Sequence, residues 1–229
     1  MAEAPKAAIF DVFGTVVDWR SGVAAEVAKA FPDIDAHAFA DAWRGEYQPA
    51  MERVRSGARG YIALDNLHLE NLAIVLGRFG LRLDEEAALS LNRAWEKLPP
   101  WPDSVEGLAA IRAKMPVAPC SNGSIALMTH LARFGGLGWD CILGAEVGRG
   151  YKPDPKVYLA SCAALGLRPD EVVMVACHND DLAAARRTGL QTAYFPRADE
   201  LGPGVKQDLA PAEDWDFIAS DMIDLATQL

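Results

Sequence analysis

Short apolar runs alternate along the chain with longer stretches of helical periodicity. Residues 7–10 (AAIF), 116–120, 141–143, 172–176 (VVMVA), 192–195 and, more weakly, 217–219 read as strands. The run 172–176 is continuously apolar, which suits a strand covered on both faces. Between them, residues 104–114, 124–134, 155–165 and 180–188 read as helices. Pro155 suits a first helical position, and Gly166 and Gly189 suit helix ends. This alternation predicts an α/β fold with a parallel sheet and helices on both faces.

One region departs from the rhythm. Residues 17–98 contain no convincing β run and instead carry helical patterns at 23–30, 36–54, 61–79 and 84–97. Turns at 31–33, 57–60 and 77–80 punctuate them, and Pro99-Pro100-Trp101-Pro102 marks the return to alternation. The expected organisation is an α/β core of residues 1–16 and 99–229, with residues 17–98 inserted as an all-helical cap.

Composition narrows the partners. The 22 Lys+Arg against 32 Asp+Glu leave a net charge of −10, and no basic patch offsets it. Nucleic acid and anionic membrane are therefore disfavoured as main partners. No stretch approaches the ~20 apolar residues of a membrane span. The N-terminal residues lack the pattern of a secretory signal. Cys120, Cys141, Cys162 and Cys177 are widely spaced and lie in or beside apolar runs. They are expected as free thiols in a reducing, cytoplasmic setting, with metal ligation or a disulfide as the alternative.

In open parallel sheets, ligands bind beyond the carboxyl ends of the strands. The first strand delivers Asp11-Val12-Phe13-Gly14-Thr15 there. The second delivers Ser121-Asn122-Gly123, and 172–176 delivers His178-Asn179-Asp180-Asp181. A loop before a helix supplies Tyr151-Lys152-Pro153-Asp154. One crevice thus collects carboxylates, a hydroxyl, an amide and an ammonium. A single Asp after a strand could be no more than a turn or helix cap; four polar strand ends in this order are more specific.

These motifs, spread over most of the chain, resemble those of the haloacid dehalogenase superfamily, and within it the L-2-haloacid dehalogenases (type II). The resemblance implies a Rossmann-like core with a helical cap. Most members of the superfamily are Mg-dependent phosphotransferases with a second Asp two residues after the nucleophile. That position is Phe13 here, which cannot protonate a leaving oxygen. The Gly-Asp pair of the phosphatases is replaced by Ala176-Cys177, and cysteine suits magnesium poorly, although Asp180 or Asp181 could still hold a metal. Attack on carbon fits better, because halide leaves without a proton. The expected activity is that of an (S)-2-haloacid dehalogenase. It would hydrolyse short 2-haloalkanoic acids through an Asp11 ester, with inversion at C2 and no metal or cofactor.

The resemblance also assigns roles. Asp11 is the nucleophile, Thr15 orients it, and Lys152 neutralises it and polarises the ester. Asp181 positions the hydrolytic water. Ser121 and Asn122 bind the substrate carboxylate, Val12 and Phe13 line the site, and Arg44 assists halide departure. Tyr158 supports the lysine or the ester-cleaving site. His178 stands where many members carry Asn, so it either orients water or shares its proton. Trp43, Tyr47, Tyr61 and Leu64 could form an apolar halogen pocket, but at helical spacing they read first as ordinary core and are not counted as site residues. A homodimer is expected from the family. The alternative activity is a phosphatase or phosphonate hydrolase of the same fold. The cap lysines Lys29 and Lys97 do not match a Schiff-base motif. A non-catalytic binding protein is the third reading.

Overall fold

The computed structural model describes residues 4–229. Six strands form one sheet: β1 (Ala7–Phe10), β2 (Val117–Ser121), β3 (Leu143–Gly144), β4 (Val172–Ala176), β5 (Gln191–Tyr194) and β6 (Phe217–Ile218). Their order is β3-β2-β1-β4-β5-β6 and every pairing is parallel. The first strand therefore lies between β2 and β4, where the winding direction reverses and a crevice opens at the carboxyl ends. β1, β2, β4 and β5 are buried along their whole lengths, as expected for a sheet covered on both faces.

Only helices lie between β1 and β2 before the return to the sheet. They are α1 (Trp19–Ala30), α2 (Ala36–Gly45), α3 (Tyr47–Arg55), α4 (Leu64–Arg78) and α5 (Glu85–Asn92), followed by a 3-10 turn Arg93–Glu96 and then α6 (Ser104–Arg112). Entry to and exit from this insertion run side by side. Val17 bridges Pro100, Asp18 N–H donates to Pro99 C=O, and Trp101 N–H donates to Val16 C=O. Asp18, Asp35 and Asp84 cap α1, α2 and α5, each accepting from a backbone N–H three residues on.

The continuous helix expected over 36–54 is two helices. Pro49 has no N–H to offer the carbonyl of Gly45, so α2 ends there and Pro49 falls in the first turn of α3. That break turns Arg44 and Tyr47 toward the sheet. The expectation over 84–97 is corrected likewise, to α5 and the tighter turn that places Trp95.

The remaining helices flank the sheet: α7 (Ile125–Gly135), the short α8 (Ala145–Gly148), α9 (Pro155–Ala164), α10 (Asn179–Arg187) and α11 (Met222–Gln228). Pro155 does open α9, and Gly166 and Gly189 have positive φ beyond α9 and α10. α8 and α11 carry too few residues for their periodicity to stand out in the sequence. Cys120, Cys141, Cys162 and Cys177 are free, three of them buried. Among the described residues, no helix is long and apolar enough to cross a membrane.

Candidate active site

The crevice beyond β1, β2 and β4 holds a cavity of about 380 Å³, lined by Asp11, Phe13, Asn122, Lys152, His178 and Asp181 from the sheet side. Arg44, Tyr47 and Gln48 line it from α2 and α3. Asp11 follows the last residue of β1, and its N–H continues the ladder to Val175 C=O of β4. The strand itself thus fixes where the carboxylate starts.

Asp11 receives three side-chain donors. Lys152 Nζ lies 2.9 Å from Oδ1, while Thr15 Oγ1 (2.8 Å) and His178 Nδ1 (3.1 Å) face Oδ2. Burial alone would raise its pKa, but Lys152 and His178 overcome that and hold the group ionised well below the usual carboxylate range. Thr15 is itself pinned, because its hydroxyl accepts Cys177 N–H at 3.1 Å.

Lys152 is buried between two carboxylates, Asp11 and Asp181, the latter 2.5 Å from Nζ. Burial disfavours its charge, yet the two acids raise its pKa above the ordinary lysine value. Its backbone is held from both sides. Asn122 Oδ1 accepts Lys152 N–H at 2.8 Å, and Arg55 Nη1 donates to Lys152 C=O at 3.1 Å. Asp181, in the first turn of α10, also accepts from the Tyr158 hydroxyl. Burial raises the pKa of Asp181, opposed by Lys152 and reinforced by Asp11. The two carboxylates are thus shifted in opposite directions, Asp11 down and Asp181 up.

His178 precedes α10 and its ring is not used as a cap. Instead it spans Asp11 and Glu200, with Nε2 3.0 and 2.9 Å from the two Glu200 oxygens. Burial opposes its charge, but Cys177, Asp11 and Glu200 favour it and raise the pKa well above 6.5. Cys177, His178 and Glu200 are, among the described residues, one group whose ligand atoms converge within 4.8 Å. Two tetrahedral ligands at about 2.1 Å from one zinc ion stand roughly 3.4 Å apart. The 2.9 Å contact is a direct ion pair and fits an ion poorly.

On the opposite wall, the Arg44 guanidinium lies 3.9 Å from the Tyr47 ring centroid, 5.2 Å from Trp19 and 5.7 Å from Phe13. Trp95 meets Phe13 edge-on and stacks on His68, whose centroid is 4.2 Å away. Tyr47 and Trp43 thus belong to this wall, with Trp43 donating to His68 C=O. Tyr61 packs elsewhere, against Tyr151.

Three of the residues expected at the site stand back from the cavity. Val12 is fully buried in the core beneath the site. The Ser121 hydroxyl accepts Gly123 N–H at 3.1 Å and shapes the turn. Tyr158 is buried behind Asp181 and touches the cavity only through it. None of the three lines the cavity. Glu200, Gln48 and Arg187 were not anticipated, and the latter two line it. Glu200 was findable: it follows β5, and the strand-end rule applies to that strand as well.

Comparison with known proteins agrees with this arrangement. The family model for haloacid dehalogenase-like hydrolases matches residues 5–189. An (S)-2-haloacid dehalogenase of Xanthobacter autotrophicus is 30% identical over 194 residues, which is 84% of this chain and 75% of that protein. The crystal structure of the defluorinating L-2-haloacid dehalogenase Rha0230 superposes with a TM-score of 0.96 at 48% identity, covering 98% of this chain and 95% of that one. The Xanthobacter autotrophicus L-2-haloacid dehalogenase with chloropropionic acid covalently bound gives 0.84 at 27% identity, covering 97% of each. With Asp11, Lys152 and Asp181 gathered in one crevice under a helical insertion, the chain belongs to the haloacid dehalogenase-like hydrolases and, within them, to the L-2-haloacid dehalogenase family.

Proposed function

We propose that this protein hydrolyses short 2-haloalkanoic acids to 2-hydroxy acids and halide through an ester on Asp11. The observation that carries this reading is the Lys152 ammonium held between Asp11 and Asp181, beside Phe13. An ionised carboxylate, an apolar ring where a phosphatase needs a proton donor, and a second, more basic carboxylate suit displacement at carbon followed by hydrolysis.

A carboxylate oxygen of Asp11 bonds to C2 as the carbon–halogen pair leaves with the halide, so backside approach inverts the centre. Arg44, held on the Tyr47 ring, presents permanently charged N–H groups to the departing halide. The aromatic wall excludes water from this step. Water then adds to the ester carbonyl carbon of Asp11, giving its proton to Asp181. Collapse breaks the acyl–oxygen bond, and the product alkoxide takes that proton. Asn122, beside Lys152, is suited to the substrate carboxylate. The helical insertion (residues 17–98) acts as the cap over this chemistry. We carry forward a homodimer from the family resemblance, a cytoplasmic setting from the free thiols, and a reaction that needs no metal or cofactor. Size-exclusion chromatography tests the first and EDTA treatment the last.

Similarity to a defluorinating relative places fluoroacetate beside 2-chloropropionate and chloroacetate in the substrate panel. Halide release that survives EDTA is expected. A single turnover in oxygen-18 water should label Asp11 before it labels product. Asp11→Asn should abolish turnover while the fold melts cooperatively. Label entering the hydroxy acid directly would overturn the ester, and magnesium-dependent phosphate release without halide release would overturn the substrate class.

A further inference from the structure

Glu200 takes no part in the steps above, yet its carboxylate is buried directly behind His178, only 7% exposed. Three neighbours define its position. His178 Nε2 contacts both of its oxygens. Trp19 Nε1, from the start of α1, donates to Oε1 at 3.2 Å. Gly14 makes room for it: this residue has φ 91°, and a Cβ there would stand 2.1 Å from Glu200 Oε1. The glycine of the first-strand motif is thus required by the neighbouring carboxylate as well as by its own backbone.

Both nitrogens of the His178 ring face carboxylate oxygens, Asp11 through Nδ1 and Glu200 through Nε2. Between two ionised carboxylates, a neutral ring donates from one nitrogen only and would set a lone pair against the other acid. With both acids ionised, only the imidazolium satisfies both contacts. We propose that Glu200 is a positioning residue for the reaction at Asp11: it orients His178 so that Nδ1–H points at the aspartyl oxygen and supports hydrolysis of the ester. This rests on the ester reading above. When water adds to Cγ of Asp11 and its proton passes to Asp181, the carbonyl pair moves onto an aspartyl oxygen. Lys152 faces Oδ1 and His178 faces Oδ2, so with the substrate bonded through Oδ1 it is His178 that meets the oxygen receiving the pair. On collapse that pair re-forms the carbonyl, and the alkoxide leaves. Glu200 touches none of the reacting atoms. Through Trp19, which stacks on Trp95 and lies near Arg44, the same carboxylate also ties the aromatic wall to the hydrolytic side.

Glu200→Gln keeps the size and removes the charge. With 2-chloropropionate we expect kcat to fall tenfold or more and KM to stay within threefold. The Asp11 adduct should accumulate in intact-protein mass spectra. Nitrogen-15 NMR should find both His178 ring nitrogens protonated in the wild type at pH 8, and the ring neutral in Glu200→Gln. Unchanged kcat with unchanged ring signals would overturn the proposal. Should the variant fail to fold, the wild-type spectrum decides: a neutral ring at pH 7 overturns the proposal, and a doubly protonated one supports it. An adduct in the wild type with no change in the variant counts against Glu200 alone. Halide release with no adduct in either protein counts against the ester itself.

Discussion

The two walls of the cavity are held by different forces. At the strand ends, charge meets charge: Lys152 bridges two acids, Asp11 takes three donors, and His178 joins Asp11 to Glu200. On the helical wall, packing dominates. Arg44 rests on Tyr47, and its Nη1 has no protein partner. Trp95 Nε1, both ring nitrogens of His68 and both amide atoms of Asn71 are likewise buried without one. Burial and the nearby Arg44 drive the pKa of His68 well below 6.5, leaving that ring neutral. The contrast teaches which part of the reaction each wall can serve. Mutually paired charges in a low-dielectric site are arranged before any substrate arrives. The Arg44 guanidinium lines the cavity with its Nη1 unpartnered and so remains free to donate to whatever enters.

The largest effect should come from cutting the charged wall at its middle. Lys152→Met leaves two buried carboxylates facing each other, so turnover should fall by about 10³-fold or more. Breaking a buried pair in this way costs about 3–5 kcal/mol. Halide release and chemical denaturation measure the two. A variant as stable as the wild type would mean that solvent, and not Lys152, balances the acids. On the packed wall, Arg44→Lys keeps the charge but loses the planar face on Tyr47. Halide release should slow by about 10²-fold with stability nearly unchanged. An equal loss of stability would erase the distinction between the walls.

The smallest effect is a pH signature of the charged wall. The folded pKa of His178 is raised above its unfolded value, so its stabilisation is complete below about pH 6.5. That contribution disappears as pH climbs through the raised value. The Tm difference between wild type and His178→Asn should therefore be widest in mild acid and narrow toward alkaline pH. A gap that widens with pH would mean that the ring is neutral in the fold.

Much of the charged wall was legible because its residues follow strands directly. Asp11 is placed by one residue of ladder, and Lys152 and Asp181 by short loops and a helix start. The partner of His178 is only half legible: the strand-end rule extends to β5, but Glu200 meets His178 only because β5 lies beside β4. The helical wall was legible as helix but not as a wall. Periodicity marks Trp43, Tyr47 and His68 as buried without saying against what, and Pro49 went unread as the point where the long helix divides. The Ser121 hydroxyl, expected at the substrate carboxylate, accepts Gly123 N–H instead, and the Tyr158 hydroxyl donates to Asp181.

By itself the sequence determined the order of strands and helices, the helical insertion and the chemical types gathered at the strand ends. These follow from hydrophobic period and from turn chemistry, which act over a few residues. Tertiary structure decided the pairings: Lys152 with two acids 141 and 29 positions away, His178 with Glu200, Arg44 with Phe13 and Trp19. Charge balance and aromatic packing act through space, over distances that only the wound sheet and its folded-back insertion bring within reach.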